Sequence, residues 1–234
     1  MQGQEVRIIP LPAVYVMETT MPETMVDSVN DYIDEYRKKE DRKSLAPTLV
    51  GQIHQGEQLL LDHTDERLAE YTQFICNLGA EYINYYASAG NKVIGPKQVE
   101  TDETWSVHSY DGDYNPIHDH GTKTVMGLST TAWTKVPEQI GRTNATSPTY
   151  SLYNESGHSD GCIMFSYGQT STLDSERLKP AQLITVTPEV GKLMVFPSWL
   201  QHMVFPFKGE GERRTIASNL NCWEAQQLSP KEVQ

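Results

Sequence analysis

The sequence changes character near residue 97, and this change constrains the fold more than any other feature of the chain. Before it, two long segments place apolar residues at helical spacing, over Pro22–Lys43 and Asp65–Ala89. After it, apolar runs are short, rich in Val, Thr, Ile, Trp and Tyr, and interrupted by Gly, Pro, Asn and Asp, as is typical of strands joined by turns. Helices first and many short strands afterwards predict a β-sandwich or barrel with helices packed outside.

The second half of the chain contains most of the predicted strands. They are Trp105–Tyr110, Val125–Val136, Ser151–Asn154, Cys162–Tyr167, Gln182–Thr187, Lys192–Phe196 and Thr215–Leu220. A further apolar run, Val6–Val16, contains two prolines and predicts an extended strand at a sheet edge. We therefore expect one domain over residues 1–234, in which residues 1–96 supply an N-terminal strand and supporting helices and residues 97–225 form the β core.

Charge and composition limit the partners and the location that we expect. The formal net charge of −12 repels phosphate backbones, which argues against a nucleic-acid partner, although a small anion needs only one or two well-placed cations. No apolar stretch approaches the roughly 20 residues of a membrane span, and the first residues lack the pattern of a secretory signal. The three cysteines form no CxxC pair, which predicts reduced thiols in a cytoplasmic protein.

Two of the histidines lie two positions apart, at His118 and His120. In a strand, such residues project from the same face, whereas Asp119 between them would point away. A third histidine, His202, follows an apolar strand that ends at Pro197. Ligands from two distant strands, with one side of the ion left open, suit iron(II) chemistry and differ from a closed, Cys-rich zinc site. The His-x-His pair alone is a weak signal, because such pairs are common on solvent-facing strands.

A cationic segment follows the third histidine. Arg213 and Thr215 alternate within a predicted strand and therefore share a face. An inward arginine can bind a carboxylate through two hydrogen bonds, and a neighbouring hydroxyl adds another. The alternative is that Arg213 and Arg214 are solvated turn residues, and these residues taken alone favour that alternative.

Together, the residues from Trp105 to Asn221 resemble the 2-oxoglutarate/iron(II) oxygenase superfamily, particularly its prolyl-4-hydroxylase-like branch and related oxygenases of phages and marine bacteria. Three motifs carry the resemblance: the segment Tyr110–Tyr114 before the first metal motif, the segment Phe196–Trp199 before the distal histidine, and Arg213–Thr215. The last is similar to the RxS/T motif that binds the far carboxylate of 2-oxoglutarate.

The resemblance implies an Fe(II)/2-oxoglutarate-dependent dioxygenase with a double-stranded β-helix fold, which is a cupin-like jelly roll with flanking helices. It implies that iron(II) is the metal and that 2-oxoglutarate and O2 are cosubstrates. The metal ligands it implies are His118, His120 and His202, and the 2-oxoglutarate-binding residues are Arg213, Thr215 and Tyr110. The expected activity is hydroxylation of a peptide or a small molecule, with a prolyl peptide expected by analogy only.

One position departs from the superfamily's usual HxD…H triad, because His120 occupies the place of the carboxylate. Either three imidazoles hold the metal, or Asp119 turns inward through a local bulge, and strand parity favours His120.

Two other functions compete with the main hypothesis. A cupin-like dioxygenase or isomerase that does not use 2-oxoglutarate would suit three histidines, but Arg213 with Thr215 argues against it. The other is a non-catalytic binding module on the same scaffold.

Overall fold

A computed structural model describes residues 14–93, 97–140, 157–171, 173–174 and 176–224 of the chain. Helix α1 spans Glu23–Tyr36, and helix α2 spans Ala69–Ser88 after a 3-10 turn at Glu66–Leu68. The strands are β1 (Met17–Thr20), β2 (Lys43–Ser44), β3 (Glu57–Leu61), β4 (Lys97–Ser109), β5 (Asn115–His118), β6 (Gly127–Lys135), β7 (Ile163–Ser166), β8 (Leu183–Val186), β9 (Lys192–Pro197), β10 (Gln201–Val204) and β11 (Arg213–Glu224).

These strands form two antiparallel sheets. The larger has the order β1-β9-β6-β11-β4-β3-β2, and the smaller has the order β5-β10-β7-β8. The sheets face each other across an apolar cluster formed by Trp133, Ile163, Phe165, Met194, Phe196 and Leu200. Two facing antiparallel sheets with long-range crossovers agree with the predicted jelly roll.

Both helices cover the outer face of the larger sheet. Their apolar stripes pack with the outward residues of the sheet in one core, which includes Val29, Ile33, Ile75, Leu193 and Leu220. Burying each large apolar side chain contributes roughly 1.5–3 kcal/mol, so the helices stabilise the sheet from outside. Within the described residues, neither helix combines the length and apolarity needed to cross a membrane.

The N-terminal half contributes more strands than the sequence predicts. Residues 6–13 of the predicted strand Val6–Val16 lie outside the described residues. The observed edge strand β1 begins only at Met17. Strands β2 and β3 also join the larger sheet, with Leu59 and Leu61 buried. The predicted strand Ser151–Asn154 lies outside the described residues.

Candidate functional site

A pocket between the two sheets contains most of the predicted site residues. It is lined by His118, His120, His202, Arg213 and Thr215, together with Trp105, Val107, Trp133, Ile163, Phe196 and Val204. Three imidazoles and one guanidinium are therefore placed in a largely apolar cavity, which is the composition of a small-molecule binding site.

The strand pairing brings the three histidines together. His118 on β5 lies directly opposite His202 on β10, and their ring centroids are 4.2 Å apart. The ring of His120, just beyond β5, lies 5.3 Å from that of His118 and 4.8 Å from that of His202. One nitrogen from each ring falls within 4.8 Å of the others, whereas the side chain of Asp119 is exposed and outside this group. The three imidazoles could hold a metal ion without a carboxylate.

The tautomers of two rings follow from their hydrogen bonds. His118 Nδ1 lies 2.7 Å from Pro116 O, and His202 Nδ1 lies 3.0 Å from Leu200 O. A carbonyl oxygen only accepts, so each Nδ1 carries the proton and donates it. Each Nε2 then carries the lone pair, which is the form that binds a metal, and that of His118 accepts from Asn115 Nδ2 at 3.1 Å.

Burial keeps these imidazoles neutral. It lowers the pKa of His118, and it lowers that of His202 to about 4, with His118 adding to the effect. The pKa of His120 falls to about 3, first through burial and then through its neighbours His202 and His118. Neutral imidazole is the protonation state that metal ligation requires, so protons do not compete for the site near neutral pH.

The turn between β9 and β10 positions two of the histidines. It follows Pro197, as the sequence predicts, and its Leu200 carbonyl accepts the hydrogen bond from His202. The carbonyl of Ser198 in the same turn accepts the backbone N–H of His120 at 2.9 Å. One turn therefore fixes the two motifs relative to each other.

Arg213 is a buried cation that is only partly satisfied. It is 4% exposed, and its Nη1 donates to Gly161 O at 2.9 Å and to Phe205 O at 3.3 Å. Its Nη2 donates to Ser109 Oγ at 3.2 Å, but its Nε has no hydrogen-bond partner among the described residues. Burial lowers its pKa to about 10. A desolvated guanidinium with an unused donor is stabilised by an anion, so Arg213 could hold the carboxylate of a ligand.

The neighbouring Arg214 points the other way. Its guanidinium donates to Asn30 and Asp34 of α1, at 3.0 and 2.5 Å, and to Glu212 at 3.0 Å. The predicted alternation along β11 is therefore correct. The alternative of two solvated turn arginines is wrong, because both side chains are buried.

Tyr110 is not among the residues that line the pocket, so its predicted place beside the ligand stays a prediction. On β4, Val107 and Ser109 face inward, so the next residue faces away. The Tyr110 side chain instead hydrogen-bonds Arg37, where it helps raise the pKa of that arginine. Tyr114, after the following turn, lines the pocket.

The loop before β3 supplies two pocket residues that sequence reasoning missed, Leu49 and Ile53. Reciprocal backbone hydrogen bonds of 3.1 Å between Gln52 and Tyr114 hold this loop over the site. A Cβ on Gly51 would lie 2.1 Å from the Tyr114 carbonyl, so only glycine permits this approach. Isolated apolar residues beside a glycine were the available signal.

Comparison with known proteins places this site in a family. Residues 103–219, half of the chain, match the family model "Putative 2OG-Fe(II) oxygenase", in which 2OG stands for 2-oxoglutarate. This span contains the three histidines, Arg213 and Thr215. No curated protein matches the chain.

Solved structures share the fold at low sequence identity. A prolyl-4-hydroxylase from Pseudomonas putida is 14% identical, with a TM-score of 0.55 over 89% of this chain and 92% of that one. HygX from Streptomyces hygroscopicus, with nickel and 2-oxoglutarate bound, is 10% identical, with a TM-score of 0.54 over 89% and 83%. The non-heme alpha ketoglutarate dependent carbocyclase SnoK from nogalamycin biosynthesis is 12% identical, with a TM-score of 0.56 over 88% and 79%.

These likenesses confirm the predicted jelly-roll fold and, at such identities, the fold alone. The family match is the finding that carries the chemistry, since it covers both predicted motifs of the metal site and the arginine strand. The chain therefore belongs to the 2OG-Fe(II) oxygenase family, whose members are enzymes that depend on iron(II) and 2-oxoglutarate.

Proposed function

We propose that the protein is a hydroxylase in which His118, His120 and His202 hold iron(II) and Arg213, with Thr215, holds 2-oxoglutarate. The observation that carries this proposal is the buried guanidinium of Arg213, which lies in the same pocket as three neutral imidazoles and whose Nε has no partner within the described part of the chain. A dicarboxylate can satisfy the arginine at one end and reach the metal at the other.

Each residue has a distinct task in this proposal. Arg213 binds the far carboxylate of 2-oxoglutarate, and the Thr215 hydroxyl on the same face of β11 donates a further hydrogen bond. The apolar walls formed by Trp105, Trp133 and Phe196 exclude water from the reacting groups. When bound, iron(II) supplies the redox chemistry that couples decarboxylation of 2-oxoglutarate to oxygen insertion. The balanced reaction converts 2-oxoglutarate, O2 and a substrate C–H into succinate, CO2 and a C–OH.

The absence of a carboxylate ligand changes the charge of the site. Three neutral imidazoles leave the full double positive charge on iron(II), whereas a triad with one carboxylate would leave a single charge. The site with Arg213 is therefore more positive before the cosubstrate binds. We expect this charge to favour the doubly negative 2-oxoglutarate over neutral analogues.

The proposed substrate is a peptide or a small molecule. A prolyl peptide is the first to test, because one structural neighbour is a prolyl-4-hydroxylase, and small molecules follow because another is a carbocyclase. Succinate formation should be measured with iron(II), 2-oxoglutarate and O2 across both classes. We expect at least one compound to stimulate succinate release by the wild type and none to stimulate the His202→Ala variant. Iron-loaded protein that releases no succinate with any compound would argue against the proposal.

A second candidate is a cupin-like dioxygenase that does not use 2-oxoglutarate. The three-imidazole group favours it, because such a site needs no carboxylate ligand. The unsatisfied Arg213 opposes it, since this reaction has no use for a deep anion site. Iron-dependent O2 consumption in the absence of 2-oxoglutarate would support this second function and contradict the first.

We also propose that residues 1–234 fold as one cytoplasmic domain. Strands from both halves share the larger sheet, which supports a single unit. Cys76 and Cys162 are free thiols, which suits a reducing compartment. Limited proteolysis should release no stable half-chain, and cells expressing the protein should retain it in the cytoplasmic fraction.

A further inference from the structure

The third imidazole is held differently from the other two. His118 and His202 donate to backbone carbonyls, which can only accept a hydrogen bond. His120 Nδ1 instead lies 3.0 Å from the hydroxyl oxygen of Ser129. A hydroxyl can donate or accept, so Ser129 alone does not decide which nitrogen of His120 carries the proton.

The contacts of Asn219 decide which nitrogen of His120 carries the proton. Ser129 Oγ lies 2.8 Å from Asn219 Oδ1, and Asn219 Nδ2 lies 3.3 Å from the carbonyl oxygen of Gly121. The Gly121 carbonyl only accepts, so the amide of Asn219 turns its NH2 group towards it. Asn219 Oδ1 then faces Ser129 and accepts its only hydroxyl proton. Ser129 must therefore accept from His120, which places the imidazole proton on Nδ1 and leaves Nε2 free.

If these hydrogen bonds ran in the opposite direction, His120 could not bind a metal. If Asn219 were turned around, its oxygen would face the Gly121 carbonyl, and two acceptors would meet without a proton. Its NH2 group would then donate to Ser129, and Ser129 would donate to His120 Nδ1. The imidazole proton would move to Nε2, the nitrogen that a metal needs.

The relay is rigid. Ser129 and Asn219 face each other as Cα partners on the adjacent strands β6 and β11, and they are 0% and 6% exposed. The relay starts at the ring of His120 and ends at the carbonyl of Gly121, the next residue in the chain. Bulk water therefore has little access to replace the hydroxyl or the amide.

We propose that Ser129 and Asn219 are positioning residues that hold His120 in its Nδ1-protonated tautomer and so make it a metal ligand. This inference rests on the proposed function in taking His120 as a ligand. It adds an explanation of how His120 stays able to bind a metal at the position where the superfamily's usual motif has a carboxylate.

The test compares Ser129→Ala with Ser218→Ala. Both serines are 0% exposed, but the Ser218 hydroxyl bonds Thr104 at 2.9 Å, on the helix-facing side of the sheet. Nickel(II), a redox-stable probe, should bind Ser129→Ala about 10- to 100-fold more weakly than the wild type, the usual effect of losing a ligand-orienting partner. Ser218→Ala should bind it with wild-type affinity.

The second readout is the tautomer itself, from imidazole 15N chemical shifts of the metal-free protein. His120 should show Nδ1–H in the wild type and in Ser218→Ala, and a population with Nε2–H in Ser129→Ala. Asn219→Asp should retain Nδ1–H, because the carboxylate oxygen that faces Ser129 still accepts its proton, even though the other oxygen then faces the Gly121 carbonyl. His118 and His202 should stay unchanged in every variant.

Two outcomes would overturn the relay. One is an Nε2–H tautomer of His120 in the wild type, and the other is wild-type nickel affinity in Ser129→Ala. Failure of the proposed function is distinguishable from these, because it concerns succinate release. Wild-type protein with the expected tautomer and nickel site but no succinate release would support the relay and contradict the hydroxylase.

Discussion

At the scale of single residues, a step of one position along β11 separates two unlike roles. Arg213 faces the pocket and keeps a donor without a partner among the residues that the structure describes, while Arg214 faces α1 and is fully engaged with Asn30, Asp34 and Glu212. Strand alternation alone produces this division. The two arginines therefore serve as matched probes of ligand binding and of stability.

Replacing Arg213 by Gln should weaken 2-oxoglutarate binding at least tenfold. A charge-assisted hydrogen bond contributes roughly 1.5–3 kcal/mol, and about 1.4 kcal/mol corresponds to a factor of ten. Calorimetric titration of the nickel-loaded protein measures the change. We expect a smaller loss of folding stability than on replacing Arg214, because the Arg213 guanidinium donates to two carbonyl oxygens and a hydroxyl rather than to carboxylates.

Arg214→Gln is the matched control for that experiment. It should leave the 2-oxoglutarate dissociation constant unchanged and should lower the free energy of unfolding by about 3–5 kcal/mol, as expected when one partner of a buried ion pair is lost. If Arg214→Gln weakens 2-oxoglutarate and Arg213→Gln does not, the inward face of β11 has been assigned wrongly.

At the scale of elements, the helices support the sheet on the side away from the site. Replacing the fully buried Ile75 of α2 by Ala should destabilise the fold by about 2–5 kcal/mol. Nickel affinity per folded molecule should be retained. The exposed Glu70 on the same helix is the control, and Glu70→Ala should change neither quantity. Thermal unfolding and metal titration measure the two effects. A folded Ile75→Ala protein without metal affinity would indicate that α2 packs against the metal site itself.

Strong local periodicity made both helices and most of the long strands predictable. The stripes of α1 and α2, the threonine-rich run of β6 and the apolar run of β9 stand out in the sequence. Strands β2, β3, β5 and β10 were missed because each has two to five residues and lies among polar residues or beside a proline. Their formation depends on partners that are distant in the chain, which a local pattern does not show.

The site was predictable wherever alternation or a motif applied. The grouping of His118 with His120 and the inward face of Arg213 followed from strand parity. The role expected for Tyr110 stays a prediction, because β4 ends one residue earlier, with Ser109 facing inward. Ser129 and Asn219 could not be found, since serine and asparagine are common and their contact joins strands 90 positions apart.

At the scale of the whole molecule, buried charges tie the first helix to the sheet. Glu212 accepts from His108 at 2.5 Å and from Arg214 at 3.0 Å, and Arg214 also reaches Asp34 of α1. Asp34 and Arg214 lie near opposite ends of the chain. The network therefore joins α1 to the larger sheet. It also makes the folding stability depend on pH.

Glu212 should make stability sensitive to acid. Burial raises its pKa, but hydrogen bonds from His108 and Arg214 outweigh this and lower the pKa to about 2. Because the folded pKa is below the unfolded value of about 4.3, the stabilisation is complete above that value and is lost as pH falls towards 2. Each unit of pKa difference corresponds to about 1.4 kcal/mol.

Urea unfolding of the wild type and of Glu212→Gln between pH 7 and pH 3 measures this effect. The wild type should be more stable by a constant amount above pH 5, and the difference should shrink as pH falls below 4. A difference that stays constant down to pH 3 would mean that Glu212 is not held as a carboxylate of low pKa.

The identity of the metal ligands is the point on which the proposed chemistry depends. A crystal structure of protein loaded with iron(II) and 2-oxoglutarate without oxygen tests it most directly. We predict an ion bonded to Nε2 of His118, His120 and His202 at about 2.0–2.2 Å, with the far carboxylate of 2-oxoglutarate on Arg213. An ion bonded to the carboxylate of Asp119 in place of His120 would contradict the account.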